Sequence, residues 1–325
     1  MTAATSRPAK PSPGENDLRR QIGTFVSRWW VLGVVVLLGV GFAISSPVFL
    51  TPGNLLNIAG QASIVGIVAI GVTFVMVAGE IDISVSGIAP LTGMLCALLM
   101  TMGVNMWLAI AAGLCVGLVL GFINGVLTTI LHLPSMIVTL GTMYLGQGLA
   151  NILTGGTAIY GLPDEFLFVG RGRVFGLPMP FLILIVLGAI AVIILSFTVF
   201  GRHVYAIGGN QTVARLAGVP VNRSKISYFV ICGVGGSLAA ILLTSQVASG
   251  QPSTGMSLNM LTITAVVIGG AALSGGKGTI QGSLLGALLL TVLTNGLNLN
   301  GISSFWQSVV SAVVLILTIV ANRNK

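Results

Sequence analysis

The stretch FLILIVLGAIAVIILSF, from Phe181 to Phe197, contains no charged residue, and Ser196 is its one polar side chain. A helix needs about 17 to 25 such residues to cross the hydrocarbon core of a bilayer. Trp29–Ser45 repeats the pattern, and the 325-residue chain is 55% hydrophobic and 6% charged, whereas soluble domains carry about 25% charged residues. The sequence therefore predicts an all-α, polytopic membrane protein.

Other apolar stretches extend this prediction to about ten transmembrane helices. Gly103 separates the third from the fourth, so those two could form one bent element. The 45 glycines of the chain lie mostly in apolar runs, where they allow membrane helices to approach closely. The predicted spans are 29–46, 55–78, 87–103, 106–131, 135–153, 180–200, 226–248, 257–273, 280–298 and 304–322.

Basic residues predict the orientation, because lysine and arginine concentrate in cytoplasmic loops. With the amino terminus inside, ten spans place 12 of the 14 basic residues on one side. The net charge of +8 thus reports topology, and no nucleic-acid partner is expected. The predicted divisions are a disordered cytoplasmic tail (1–28), a transmembrane domain (29–322) with a cytoplasmic loop (201–225) and a periplasmic loop (154–180), and a cytoplasmic carboxyl terminus (323–325).

The periplasmic loop is long for a helix connection and contains Pro163, Pro178 and Pro180. We expect turns or a partner to order it, and not a core of its own.

Two acidic residues join the second and third spans in Gly79-Glu80-Ile81-Asp82-Ile83-Ser84. An acid facing lipid at mid-membrane costs about 2.5 to 3.5 kcal/mol. The segment is either a gate or re-entrant turn beside a pathway, or a structural turn capped by Asp82 and Ser84. The candidate gate residues are Gly79, Glu80, Asp82 and Ser84.

The cytoplasmic loop contains a short helix signal. Asn210 can cap a helix from Gln211 to Ala217, which Gly218 and Pro220 would end. A helix of two turns is not stable alone in water. It docks on a partner, or the segment is simply a solvated basic loop.

Five motifs are spread along the chain: Gly79–Val85, Gly121–Gly125, Pro134–Met143, Gly201–Val219 and Ile268–Thr279. Together they resemble the permease subunits of bacterial ATP-binding-cassette importers for simple sugars such as ribose, xylose and galactose. Glu80 stands where that family usually has glycine.

The resemblance implies the permease fold of the second importer type, with a coupling helix that enters a cleft of the ATPase. It also implies partners: ATPase subunits that hold ATP and Mg, a periplasmic or lipid-anchored sugar-binding protein, and a second permease copy, identical or not. The location would be the bacterial inner membrane, with both termini cytoplasmic. The coupling residues carried over are Asn210, Gln211, Ala214, Arg215, Ala217 and Gly218.

No cofactor, metal or catalytic residue is expected in the chain. Gly275–Thr279 lacks a serine or threonine directly after Lys277 and the upstream glycine spacing of a phosphate loop. His132 and His203 are the only histidines, and both lie near predicted helix ends.

Polar side chains within the spans are candidates for contact with a solute, because sugar hydroxyls need partners when they lose water. The alternative is that these side chains bond neighbouring helices. Two rival functions remain open: a permease for branched-chain amino acids, and an ion-coupled carrier that uses Glu80 or Asp82. The tentative pathway residues are Asn57, Gln61, Asn124, Gln147, Asn151, Gln246 and Asn295.

Overall fold

A computed structural model describes residues 30–322; the predicted tail 1–28 and carboxyl terminus 323–325 lie outside them. The described residues form thirteen helices and one two-stranded hairpin. The helices are α1 (Trp30–Ser45), α2 (Pro52–Val77), α3 (Val85–Thr101), α4 (Met106–Thr129), α5 (Ser135–Thr154), α6 (Asp164–Arg171), α7 (Met179–Phe197), α8 (Val199–Gly209), α9 (Gln211–Leu216), α10 (Val221–Val247), α11 (Leu258–Ile268), α12 (Ile280–Leu299) and α13 (Ser304–Asn322), and the antiparallel strands are β1 (Arg173–Val174) and β2 (Leu177–Pro178).

Six helices in the described part of the chain are long and apolar enough to cross a membrane: α2, α4, α5, α7, α10 and α12. Three more apolar helices, α1, α3 and α11, fall short of that length, and so does Ser304–Val314, the first part of α13. Gly103 has a φ of 84° and separates α3 from α4, so these are two helices. The all-α membrane class is confirmed, while the number of ten spans stays a prediction.

Glycines at every fourth residue bring α4 against its neighbours. A Cβ atom at Gly117 would lie 2.1 Å from the carbonyl oxygen of Gly233 on α10. One at Gly121 would lie 2.5 Å from the carbonyl oxygen of Phe229. Such spacing of small residues is typical of membrane helices whose backbones touch. The α4 glycines are Gly113, Gly117, Gly121 and Gly125.

The segment between α5 and α7 is anchored in the core of the helix bundle, whereas its prolines predicted order from turns or from a partner. Phe166 of α6 is fully buried among side chains of α3, α4 and α10. Ser245 of α10 donates its hydroxyl to the Phe166 carbonyl (2.6 Å) and accepts from the Gly170 amide (2.7 Å). The prediction failed because one inserted aromatic ring and one serine can dock a helix of only 8 residues.

The predicted sixth span, 180–200, divides into two helices. Thr198 is extended, and its hydroxyl accepts from the Gly201 amide at 3.2 Å, which caps α8. Val204 and Ile207 of α8 are buried, and the Phe200 ring lies 5.1 Å from the Tyr228 ring of α10. The predicted loop 201–225 is therefore mostly helical and packs on the bundle.

Candidate functional site

The predicted capped helix is present as α9. Asn210 has an extended backbone, and its Oδ1 accepts from the Val213 amide at 3.1 Å. The helix ends at Leu216, with Ala217 as its C-cap, and Gly218 follows with a φ of 83°. A left-handed glycine after the C-cap is a common helix stop.

The exposed surface of α9 differs from the predicted contact set. Ala214 is only 4% exposed and packs into the central core of the chain, so it offers no surface to a partner. Leu216 and Val213 are 84% and 59% exposed, and Arg215 beside them is exposed too. The outer surface of α9 is thus an apolar pair flanked by a cation. Ala217 and Gly218 are also exposed.

A lysine ties α9 to the turn after α2. Lys225 Nζ donates to Gln211 Oε1 at 3.0 Å and forms an ion pair with the Glu80 carboxylate. The Lys225 and Glu80 side chains are 6% and 16% exposed. Removing one partner of a buried pair leaves an uncompensated charge, which costs about 3 to 5 kcal/mol; partial exposure of Glu80 lowers that figure here.

Backbone contacts reinforce this connection. A Cβ atom at Gly208 of α8 would lie 1.8 Å from the Val77 carbonyl oxygen, to which the Gly276 amide donates at 2.8 Å. The Tyr205 hydroxyl donates to the Gly278 carbonyl at 2.8 Å. Burial raises the pKa of Tyr205, which keeps this hydroxyl a donor. The end of α2 therefore meets the end of α8 and the loop before α12 through backbone atoms, and the Tyr205 side chain adds a bond from α8 to that loop.

The turn 79–84 is built around a buried carboxylate. Gly79 begins the turn with a φ of 82°. Asp82, 1% exposed, accepts from both the amide and the hydroxyl of Ser84 at 2.8 and 2.6 Å. This geometry is that of the structural turn, which was one of the two interpretations of the motif.

The same turn also bonds helices that it does not connect. The Ile81 amide donates to Ser135 Oγ at the start of α5 at 3.2 Å. The Asn259 amide of α11 donates to the Ile83 carbonyl, and Asn124 of α4 donates to Ser84 Oγ at 3.0 Å. Together with α10, whose Lys225 pairs with Glu80, the turn therefore contacts four helices besides the two that it connects.

Two of the tentative pathway residues bond other helices. Asn124 is fully buried, and its Oδ1 accepts from Thr142 Oγ1 of α5 at 2.5 Å. Asn295 and Asn54 exchange two hydrogen bonds of 2.9 Å between α12 and α2. Their amides are satisfied within the chain, which agrees with the helix-bonding alternative.

The other pathway candidates are more accessible. Asn57 and Gln61 are exposed and lie one turn apart on α2. Gln147 of α5 is half-buried and reaches the Ser86 carbonyl at 3.4 Å, while exposed Asn151 donates to the Gln147 carbonyl at 2.8 Å. Gln246 is half-buried.

The family model described as "Branched-chain amino acid transport system / permease component" matches residues 54–319 of the chain. The chain belongs to this permease family. The permease is 41% identical to the ribose import permease protein RbsC of Bacillus subtilis over 296 residues, 90% of the permease and 92% of that protein. It is 38% identical to the Escherichia coli RbsC over 299 residues, covering 91% and 93% of the two chains.

Another relative carries a different name. The L-arabinose transport system permease protein AraH of Escherichia coli is 37% identical to the permease over 304 residues, 93% of the permease and 92% of AraH. No solved structure matches the permease. The resemblance that the five motifs indicated is confirmed: the protein is a multi-pass membrane permease.

Three residues of the site are not among those predicted from the sequence. Lys225 is one of the basic residues of the predicted cytoplasmic loop, and it lies 14 residues after Gln211 and one turn into α10. Val213 and Leu216 are the other two. Their spacing of three places them on one face of a helix, and that spacing was the available signal.

Proposed function

We propose that the permease is the membrane subunit of an ATP-binding-cassette importer that moves a monosaccharide across the bacterial inner membrane. The observation that most directly supports this proposal is α9, a short capped helix that exposes two apolar side chains. Lys225 connects this helix to the turn after α2. Relatives named for ribose import and for L-arabinose transport support a sugar as the solute.

In this proposal ATP and Mg bind a separate ATPase, and the permease performs no hydrolysis. A periplasmic or lipid-anchored binding protein delivers the sugar to the outer side, and a second permease copy completes the passage. ATP-driven closure of the ATPase subunits moves α9, and the permease pair alternates between outward and inward states. The distribution of basic residues supports cytoplasmic termini.

For the passage we propose the exposed amides of α2. Gln61 lies nine residues after Pro52, which places it about 14 Å along the helix at 1.5 Å per residue. That is roughly half of a 30 Å hydrocarbon core. An amide facing lipid at this depth would have no partner, so we place Asn57 and Gln61 against a wet passage between permease copies. Gln147 and Asn151 of α5 are further candidates.

The ion-coupled carrier is the weaker alternative. Such a carrier uses an intramembrane acid to hold its ion. Glu80 is paired with Lys225, and one oxygen of Asp82 is occupied by Ser84. A branched-chain amino acid permease shares the coupling mechanism, and a binding screen of the partner protein against sugars and amino acids separates the two.

The first test uses the exposed tip of α9. We expect the tagged wild-type permease, extracted gently, to copurify with an ATPase subunit. Leu216→Glu should weaken that association by at least about tenfold, because burying one leucine contributes about 1.5 to 3 kcal/mol and the new charge opposes burial. Leu216→Met is the matched control and should retain the ATPase.

The contrary result is also defined. If no ATPase accompanies the wild type, and purified permease transports solute on an ion gradient alone, the ion-coupled carrier replaces this proposal. If the ATPase is retained equally by Leu216→Glu, α9 is not its docking helix.

A further inference from the structure

Glu80 joins three elements that are distant in sequence. It lies in the turn that follows α2, and its carboxylate pairs with Lys225 in the first turns of α10. The same ammonium group donates to Gln211, the first residue of α9, at 3.0 Å. Three side chains in series, those of Gln211, Lys225 and Glu80, therefore connect α9 through α10 to the turn 79–84.

This chain is poorly accessible to water. With the Lys225 and Glu80 side chains 6% and 16% exposed, neither charge can exchange its partner for solvent without the surrounding elements moving apart. A buried charge that loses its partner is strongly unfavourable. Displacement of α9 and the start of α10 is thus coupled to displacement of Glu80.

A second contact, between α8 and the end of α2, lies beside this connection. Gly208 of α8 lies against the Val77 carbonyl so closely that a Cβ atom would come within 1.8 Å of it. α8 therefore touches the end of α2 at Val77, and α9 is connected to the following turn at Glu80 through Lys225 of α10. Movement of α8 and α9 past the end of α2 thus opens the glycine contact or one of the two Lys225 bonds.

Beyond Glu80, the turn forms hydrogen bonds with several of the membrane helices. Its next residues bond Ser135 at the start of α5 through Ile81 and Asn259 of α11 through Ile83. Ser84 accepts from Asn124, which in turn accepts from Thr142 of α5. The bonds of Ile81, Ile83 and Ser84 thus join a short irregular segment to α5, α11 and α4.

We propose that the Glu80–Lys225–Gln211 chain is the transmission link of the permease, with Glu80 as a positioning residue. When a partner displaces α9, Lys225 carries the movement to the turn 79–84, and the turn passes it to α4, α5 and α11. The link needs no contact between Glu80 and the solute. It rests on the proposed function, because the movement is supplied by the ATPase.

The test measures coupling separately from hydrolysis. The complete complex of permease, ATPase and loaded binding protein is placed in proteoliposomes, and sugar uptake and ATP hydrolysis are measured together. Glu80→Gln and Lys225→Met should each lower the sugar moved per ATP by about tenfold, within the range for residues that carry coupling between sites. Lys225→Arg, which keeps the charge, should stay near the wild type.

Two comparisons distinguish transmission from folding. The double variant Glu80→Lys with Lys225→Glu should recover part of the lost coupling, because the pair is restored in the opposite sense. Arg223→Met removes an exposed cation two residues from Lys225 and should leave coupling unchanged. If the variants at Glu80 and Lys225 do not assemble, Gln211→Ala, at an exposed position, tests the link instead. We expect it to lower the sugar moved per ATP by about twofold or more.

An unchanged ratio of sugar to ATP in Glu80→Gln, Lys225→Met and Gln211→Ala would overturn the link while leaving the importer itself intact. A swap variant that assembles normally but is no better than the single variants would do the same. Failure of the wild-type complex to take up sugar with ATP would instead overturn the proposed function.

Discussion

The α4–α10 interface and the turn 79–84 hold the permease together in opposite ways. Along α4, glycines at every fourth residue let two backbones touch, as at Gly117 and Gly233. At the turn, the connections are an ion pair, hydrogen bonds donated by Asn259 and Asn124, and one accepted by Ser135. One region has no room for a side chain, and the other depends on side chains.

The difference indicates which contacts can change when the permease moves. Backbone contacts between helices are lost together, because a shift of either helix separates every glycine from its neighbour. Hydrogen bonds of a short turn can be made and broken singly, since each contributes only about 0.5 to 1.5 kcal/mol. We therefore interpret α4 and α10 as a frame that is fixed internally, so that the two helices move together, and the turn 79–84 as the adjustable joint between this frame and its neighbours.

Substitution of Gly117 by alanine should give the largest effect on stability. Its Cβ atom would lie 2.1 Å from the Gly233 carbonyl oxygen, and forced overpacking of this kind costs about 1 to 3 kcal/mol. We expect a lower melting temperature of the purified permease in detergent, measured by loss of the monodisperse peak after heating. Gly148→Ala on α5 is the matched control, because nothing lies within 4 Å of its Cβ position.

Equal melting temperatures for the two alanine variants would contradict the fixed frame. They would show that α4 and α10 can separate at little cost.

Gly208→Ala tests the joint with the same chemistry. The new methyl group would meet the Val77 carbonyl at 1.8 Å, but α8 packs less extensively on α2 and α10 than α4 packs on α10. We expect a smaller loss of stability than for Gly117→Ala, together with a fall of about 2- to 30-fold in solute moved per ATP. Gly209→Ala, whose Cβ position is open, should behave as the wild type.

If Gly208→Ala transports normally while remaining folded, the contact between α8 and α2 carries no movement, and the joint is confined to the ion pair.

Many of the membrane helices could be predicted from the sequence, because lipid imposes a length and a composition on each spanning helix. The predicted start of α12 matches the structure, and its predicted end differs by one residue. The Asn210 cap of α9 was equally readable, since the capping interaction joins residues three positions apart. Local rules suffice wherever the partners are neighbours in the chain.

The joint could not be predicted in the same way. Glu80 and Lys225 are separated by 145 positions, and no local pattern pairs a particular acid with a particular base at that distance. The burial of Ala214 was missed for a related reason. A helix as short as α9 has too few residues for periodicity to show which face it buries, so only the packing of α9 on the core decides it.

Of two asparagines on α2, Asn57 should give the smallest effect on stability. Asn54 is buried and exchanges hydrogen bonds with Asn295, whereas Asn57, three residues later, is exposed. Asn54→Ala should lower the melting temperature, because it leaves the Asn295 amide without its partner, at a cost of about 1 to 3 kcal/mol. Asn57→Ala should leave the melting temperature unchanged, since its side chain makes no bond to the described residues 30–322.

Transport should rank the two variants in the reverse order. If Asn57 faces the passage, its loss removes one hydrogen bond to the solute and raises the apparent KM for uptake by about 2- to 12-fold. Asn54→Ala that remains folded should keep the wild-type KM, because its side chain is turned towards α12. An unchanged KM in Asn57→Ala and in Gln61→Ala would remove this face of α2 from the passage, and the half-buried amide of Gln147 on α5 would take its place.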